Sequence, residues 1–145
     1  MKKTYCLFIV ACLALFSSCE LEHSGNGNLD GMWPLQRIES LSTGEVQDLS
    51  TQQLYWNFQV RLLQLDDKNH NATTCLLRFE HANKQLRVYD PYIYNREEGD
   101  IPLTDVSLLL PYGIDQLDET FDVVHLSSSH LVLKNGDVQL SLRQY

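Results

Sequence analysis

The chain is short of positive charge. Its 11 Lys and Arg stand against 19 Asp and Glu, a formal charge of −8 over 145 residues. Nucleic-acid phosphates demand a basic surface, so a nucleic-acid partner is not expected, and an anionic membrane suits the chain only through an attached lipid. Long hydrophobic runs are also lacking: the apolar stretch Tyr5 to Phe16 is too short to span a bilayer as a permanent helix. Catalytic and metal-binding patterns are absent as well. Glu97-Glu98 with Asp100, and Asp115 with Asp118 and Glu119, miss the Asp-x-Asp-x-Asp-Gly spacing that arranges oxygens round a calcium ion, and read as solvated acidic loops. Ser127-Ser128-Ser129 before His130 has no strand–turn–helix elbow around it and reads as a turn, not a nucleophile. Neither an enzyme nor a metal or cofactor is expected.

What the N-terminus does contain is ordered in a familiar way. Met1-Lys2-Lys3 is a cationic start, Tyr5 to Phe16 an apolar core, and Ser17-Ser18 places small residues just before Cys19. This arrangement resembles a bacterial lipoprotein signal, in which the peptide is cut before the cysteine and the thiol is acylated. The resemblance implies that residues 1–18 are a signal peptide, that Cys19 is the lipidation site and membrane anchor, and that the protein works in the bacterial cell envelope. The outer membrane is the expected location, with its periplasmic and surface faces both open. Glu20 and Glu22 also resemble the acidic surface-export signals of some Bacteroidetes lipoproteins.

Removal of residues 1–18 leaves 127 residues, enough for one domain with a real core, and takes away Lys2 and Lys3 but no acid, so the charge becomes −10. Cys6 and Cys12 leave with the signal and Cys19 carries lipid, so no disulfide remains. The surviving thiol, Cys75, lies in the apolar run Cys75-Leu76-Leu77-Arg78-Phe79 and reads as a buried structural cysteine. Residues 19–30, polar and glycine-rich after Cys19, read as a flexible tether, and residues 31–145 as the folded domain.

The domain has a β pattern. Leu54 to Leu62 alternates, predicting one nine-residue strand with Leu54, Trp56, Phe58, Val60 and Leu62 on its buried face. Asp66 to Asn71 is a turn cluster. Thr73 to His81 follows as a strand sharing Cys75, Leu77, Phe79 and His81 on one face, and Ala82-Asn83-Lys84 turns it back onto Leu86 to Tyr89. Asp90 to Pro102 reads as a long loop, and Thr104 as the cap of a short helix that Pro111 stops. Phe121 to Leu126 and His130 to Leu133 are strands, and Asn135-Gly136 is a hairpin signal into Val138 to Arg143. About seven or eight short antiparallel strands with one short helix point to a barrel or sandwich, and closure removes the sheet edges.

Gly31-Met32-Trp33 resembles the Gly-x-Trp opening of the lipocalins and the wider calycin barrels. The resemblance implies that Trp33 closes one barrel end and that Arg143, in Leu140-Ser141-Leu142-Arg143, packs across it. Leu103-Thr104-Asp105, Pro111-Tyr112-Gly113-Ile114 and Phe121 to Leu133 extend the similarity to the small lipocalin-like domain lipoproteins of Bacteroidetes. It implies an all-β, small antiparallel lipocalin-like barrel. The second lipocalin signature, Thr-Asp-Tyr, is absent, and about 115 residues build a barrel small enough to be filled by its own side chains.

Two uses of such a barrel follow. Inward aromatics Trp56, Phe58, Phe79 and Phe121 line a cavity for a small apolar or amphipathic ligand, or pack an ordinary core. His81 and His125 share faces with apolar neighbours and offer a ligand a polar contact, or hold hydrogen bonds at the barrel mouth; His23, His70 and His130 read as exposed. In the alternative, a filled barrel docks an envelope protein partner through the Asp90 to Asp100 loop, with Tyr92 and Tyr94 as contact residues.

Overall fold

The computed structural model describes residues 24–145, and the expected signal segment and Cys19 lie outside them. Ten strands run β1 (Gly31–Ser40), β2 (Val46–Asp48), β3 (Leu54–Gln59), β4 (Leu62–Asp67), β5 (Cys75–Ala82), β6 (Gln85–Ile93), β7 (Ile101–Pro102), β8 (Glu119–Leu126), β9 (His130–Asn135) and β10 (Val138–Arg143). Every pairing is antiparallel, and β10 pairs with β1, so eight strands close into a barrel while β2 and β7 are short additions to its rim. This is the small lipocalin-like all-β barrel expected from the sequence.

Several local features differ from the sequence pattern. The predicted nine-residue strand is two strands, because the chain reverses at Val60-Arg61 and Gln59 pairs with Leu62. Leu54, Trp56 and Phe58 are buried as expected, whereas Val60 and Leu62 are exposed. Val60 has φ +56°, a conformation that a β-branched side chain strongly disfavours, and nothing in Val-Arg advertises a turn. Part of the expected Asp90 to Pro102 loop is also strand. β6 continues through Ile93 by way of a register shift at Asp90 (φ +54°), and β7 pairs back onto it. The expected short helical segment is present in 3-10 form, Val106–Leu108 and Leu110–Tyr112, and its cap is Asp105, whose side chain accepts from Ser107 N, in place of Thr104. The last hairpin turns on Gly136-Asp137, one residue later than expected, with Gly136 at φ +56°.

The two barrel ends are closed by different means. At the end where the N-terminal segment arrives, a 3-10 turn at Gly27–Leu29 buries Leu29, whose carbonyl accepts from Trp33 Nε1 at 2.8 Å. Gly27–Leu29 therefore packs with the barrel ahead of Gly31. Asn26 Nδ2 donates to Val60 O at 2.8 Å and to Asp30 Oδ1 at 2.7 Å, holding this segment against the β3–β4 turn. At the far end the connection from β7 to β8 buries Leu103, Leu109, Tyr112 and Ile114. Tyr112 O accepts from Trp56 Nε1 at 3.1 Å, and Tyr112 Oη donates to Thr73 O at 3.0 Å. Gly113 sits at φ +83°, and a Cβ there would lie 2.6 Å from Leu140 Cδ2, so this connection packs directly on β10.

Candidate functional site

The aromatic residues expected to line a cavity instead pack against one another. Phe58 and Phe79 meet edge-on at 5.0 Å, Trp56 and Phe121 at 5.9 Å, and Trp56 and Phe58 tilt together at 6.1 Å. A void able to hold a ligand also admits water and leaves its walls accessible surface. Trp33, Trp56 and Phe121 are 0% exposed and Phe58 and Phe79 only 3% and 4%, so the space between them is filled. Burial also pushes the Cys75 thiol, in the same core, up to about 11.

Open space lies instead at the N-terminal end. There β5 and β6 run past the β3–β4 turn, as Leu62 already faces Arg78 and Phe79 N donates to Arg61 O. The overhanging hairpin and the segment around Asn26 enclose a cleft of about 960 Å³, bordered by Val60, Arg61, Arg78, Phe79, His81 and Tyr89. A second recess of about 670 Å³ adjoins it through Gly25, Asn26, His81 and Ala82, and reaches Lys84, Val124 and His125. Exposed Val60 gives the cleft an apolar part, and Phe79 lies almost wholly buried beneath it. Arg78 is 3.3 Å from Asp90, and Tyr89 Oη donates to Glu80 Oε1 at 3.2 Å. Arg61 makes no ion pair among the described residues, which leaves a guanidinium free beside His81.

The remaining candidate residues fall as follows. His81 stands opposite the buried Leu86 and is half-buried at the rim. His125 does not share the face of Phe121 and Val123: a bulge between Val123 and His125 places it opposite Val132, on the outward face and exposed. Both histidines nonetheless border the recess, so the irregularity keeps them near one opening. Arg143, expected to pack across Trp33, is exposed. Alternation along β10 turns Leu140 and Leu142 inward and Arg143 outward, where its guanidinium lies 5.2 Å from the Tyr145 ring centre. The last-strand neighbour of the Gly-x-Trp opening is Gln144, whose Nε2 would be 2.2 Å from a Cβ on Gly31. Tyr92 and Tyr94 are half-buried at the far end: Tyr92 pairs with Leu76 and Pro102, and Arg96 stacks on Tyr94 at 5.6 Å. Among the described residues no group of three His, Cys, Asp or Glu is placed to hold a metal ion.

Arg61 and Lys84 were not candidates from the sequence. They became site residues through hairpin lengths, which carry little signal in a single chain; the exception is Asn83-Lys84, both at positive φ, where the asparagine marks the turn.

Comparison with known proteins agrees with this architecture. A family model for a lipocalin-like domain matches residues 14–145. Among solved structures the chain is similar to a lipocalin-like protein from Bacteroides uniformis, with 19% identity and a TM-score of 0.62 over 82% of this chain and 100% of that one. It is also similar to an uncharacterized protein from Bacteroides eggerthii, with 15% identity and a TM-score of 0.58 over 80% of this chain and 98% of that one. No curated protein matches it. The closed eight-stranded barrel, the Gly31-Met32-Trp33 opening and the near full-length match together place the chain in the family of lipocalin-like domains, barrels of a ligand-binding type.

Proposed function

We propose that this protein is a non-enzymatic lipoprotein of the bacterial cell envelope, anchored in the outer membrane by lipid on Cys19, whose barrel binds a small amphipathic molecule in the cleft at its N-terminal end. The observation that carries this reading is the cleft of about 960 Å³ beside a filled interior, with exposed Val60 on its apolar side and Arg61 and His81 on its polar side. The ligand's apolar part covers the exposed Val60 while an anionic or strongly accepting group meets Arg61. Native mass spectrometry of protein purified from its own membrane tests this: an added small mass that Arg61→Ala and His81→Ala each weaken supports it, and bare protein in every preparation rejects it.

The filled interior and the two closed ends favour a second reading, an interaction module that docks an envelope partner at the far end. Half-buried Tyr92 and Tyr94 and exposed Ile101 are its contact residues. Capture of the same envelope protein by wild type but not by Tyr92→Ala or Tyr94→Ala would favour it over the cleft.

A further inference from the structure

The net charge of −8 conceals a polarity along the barrel axis. At the far end stand Glu45, Glu97, Glu98, Asp100, Asp105 and Asp115, and the cations there sit beside acids, Arg96 next to Glu97 in the chain and Lys68 paired with Asp66. The N-terminal end carries Arg61, Lys84 and Arg143, none of which forms an ion pair among the described residues, while its acids Asp30 and Glu80 are already engaged, Asp30 by Asn26 and Glu80 by Arg87 and Tyr89. Exposed apolar side chains occur at both ends, but only at the N-terminal end do they stand among these cations: Val60 is 41% exposed, Leu62 52% and Val124 57%. Apolar groups interleaved with free cations suit the headgroup region of an anionic bilayer, and the acidic far end is repelled by it.

The chain's attachment selects the same end. Ser24 and Asn26 lie against the barrel there, bordering the cleft, so five residue steps separate Cys19 from the first described residue. Five steps reach at most about 17 Å. We infer that the N-terminal end of the barrel docks directly on an anionic lipid surface through Val60, Leu62 and Val124 and through Arg61, Lys84 and Arg143, so that the protein stands end-on at the membrane with its acidic end outward. This inference rests on the reading of Cys19 as the anchor for its geometry, while the charge polarity is independent of it. The cleft then opens at the lipid interface.

The test uses the full chain reconstituted into vesicles of phosphatidylglycerol and phosphatidylethanolamine, with an environment-sensitive thiol label at Val60→Cys or, as the far-end control, Glu98→Cys. Buried Cys75 stays unlabelled in the native protein. Brominated lipid is expected to quench the label at position 60 several-fold more than at position 98. Arg61→Glu with Lys84→Glu should abolish the difference, as should replacement of phosphatidylglycerol by phosphatidylcholine. Arg143→Glu, outside the cleft, is expected to reduce it. Equal quenching at the two positions, or quenching indifferent to these charge reversals, overturns end-on docking. Intact mass of the same preparation judges the anchor separately. If Cys19 is unmodified, co-sedimentation with the anionic vesicles still decides docking, with a loss of about a thousandfold in partitioning expected for the double reversal, which changes the charge by four units.

Discussion

Phe121→Ala is the substitution that reports most directly on the filled barrel. The ring has no accessible surface and stands edge-on to Trp56 at 5.9 Å and 70°. Its removal costs about 3–5 kcal/mol in lost burial and residual cavity, of which the edge-to-face contact accounts for about 1 kcal/mol. With a urea m-value of about 2 kcal/mol per M, a cost of about 4 kcal/mol lowers the unfolding midpoint by about 2 M. The cavity left behind is apolar, so it stays dry and accepts a benzene-sized molecule. A ligand that binds only the folded state raises its stability with concentration. Benzene should therefore raise the midpoint of Phe121→Ala and leave that of the wild type unchanged. A loss below about 1 kcal/mol, or a wild type that responds to benzene as strongly as the variant, would refute the filled interior.

Three further outcomes follow from particular groups. Val60→Asn should stabilise the protein by about 0.5–1 kcal/mol in urea titration, because asparagine tolerates the positive φ that valine resists; a loss of stability would mean that the valine side chain makes contacts which outweigh its backbone strain. Burial raises the Glu119 carboxyl above its ordinary value, against weaker opposing hydrogen bonds from Asn135 Nδ2 at 2.7 Å and from Asp115 N at 3.0 Å. The folded state thus favours the protonated acid, a share of stability fully present below the unfolded value and lost as pH rises through the folded one. Glu119→Gln should therefore gain on the wild type between pH 4 and pH 8, and midpoints that move in parallel over that range would contradict it. Cys75, buried and with its thiol raised to about 11, should resist a thiol reagent at pH 8 in native protein and react once urea unfolds it; native reactivity would place it at a surface.

The parts of the fold legible in the sequence were those that side-chain chemistry imposes locally. Asn135-Gly136 and Ala82-Asn83-Lys84 marked hairpins because those turns need residues that accept positive φ, and the alternation of Cys75, Leu77 and Phe79 fixed the buried face of β5. Gly31-Met32-Trp33 was informative for the same reason, as Gly31 leaves room for Gln144. What escaped was decided by tertiary packing. The Val60 turn has strand composition and is held by Asn26 from another part of the chain. A single bulge in β8 turned His125 outward, and no residue type at Val123-Val124 announces it. The plug of Leu103, Leu109, Tyr112 and Ile114 reads as an ordinary loop until Trp56 Nε1 and Thr73 O give Tyr112 its partners. The candidate site shifted accordingly: Phe79 and His81 border the cleft, while Trp56 and Phe121 pack the core.

The central claim is that any ligand sits in the N-terminal cleft and not among the aromatic rings. Native mass spectrometry on protein taken from its own membrane, comparing wild type with the double variant Arg61→Glu, His81→Ala, tests it most directly. The account predicts a bound small molecule in the wild type that is lost from the double variant while both remain folded. A bound mass that survives in the double variant, or its absence from the wild type, would contradict it.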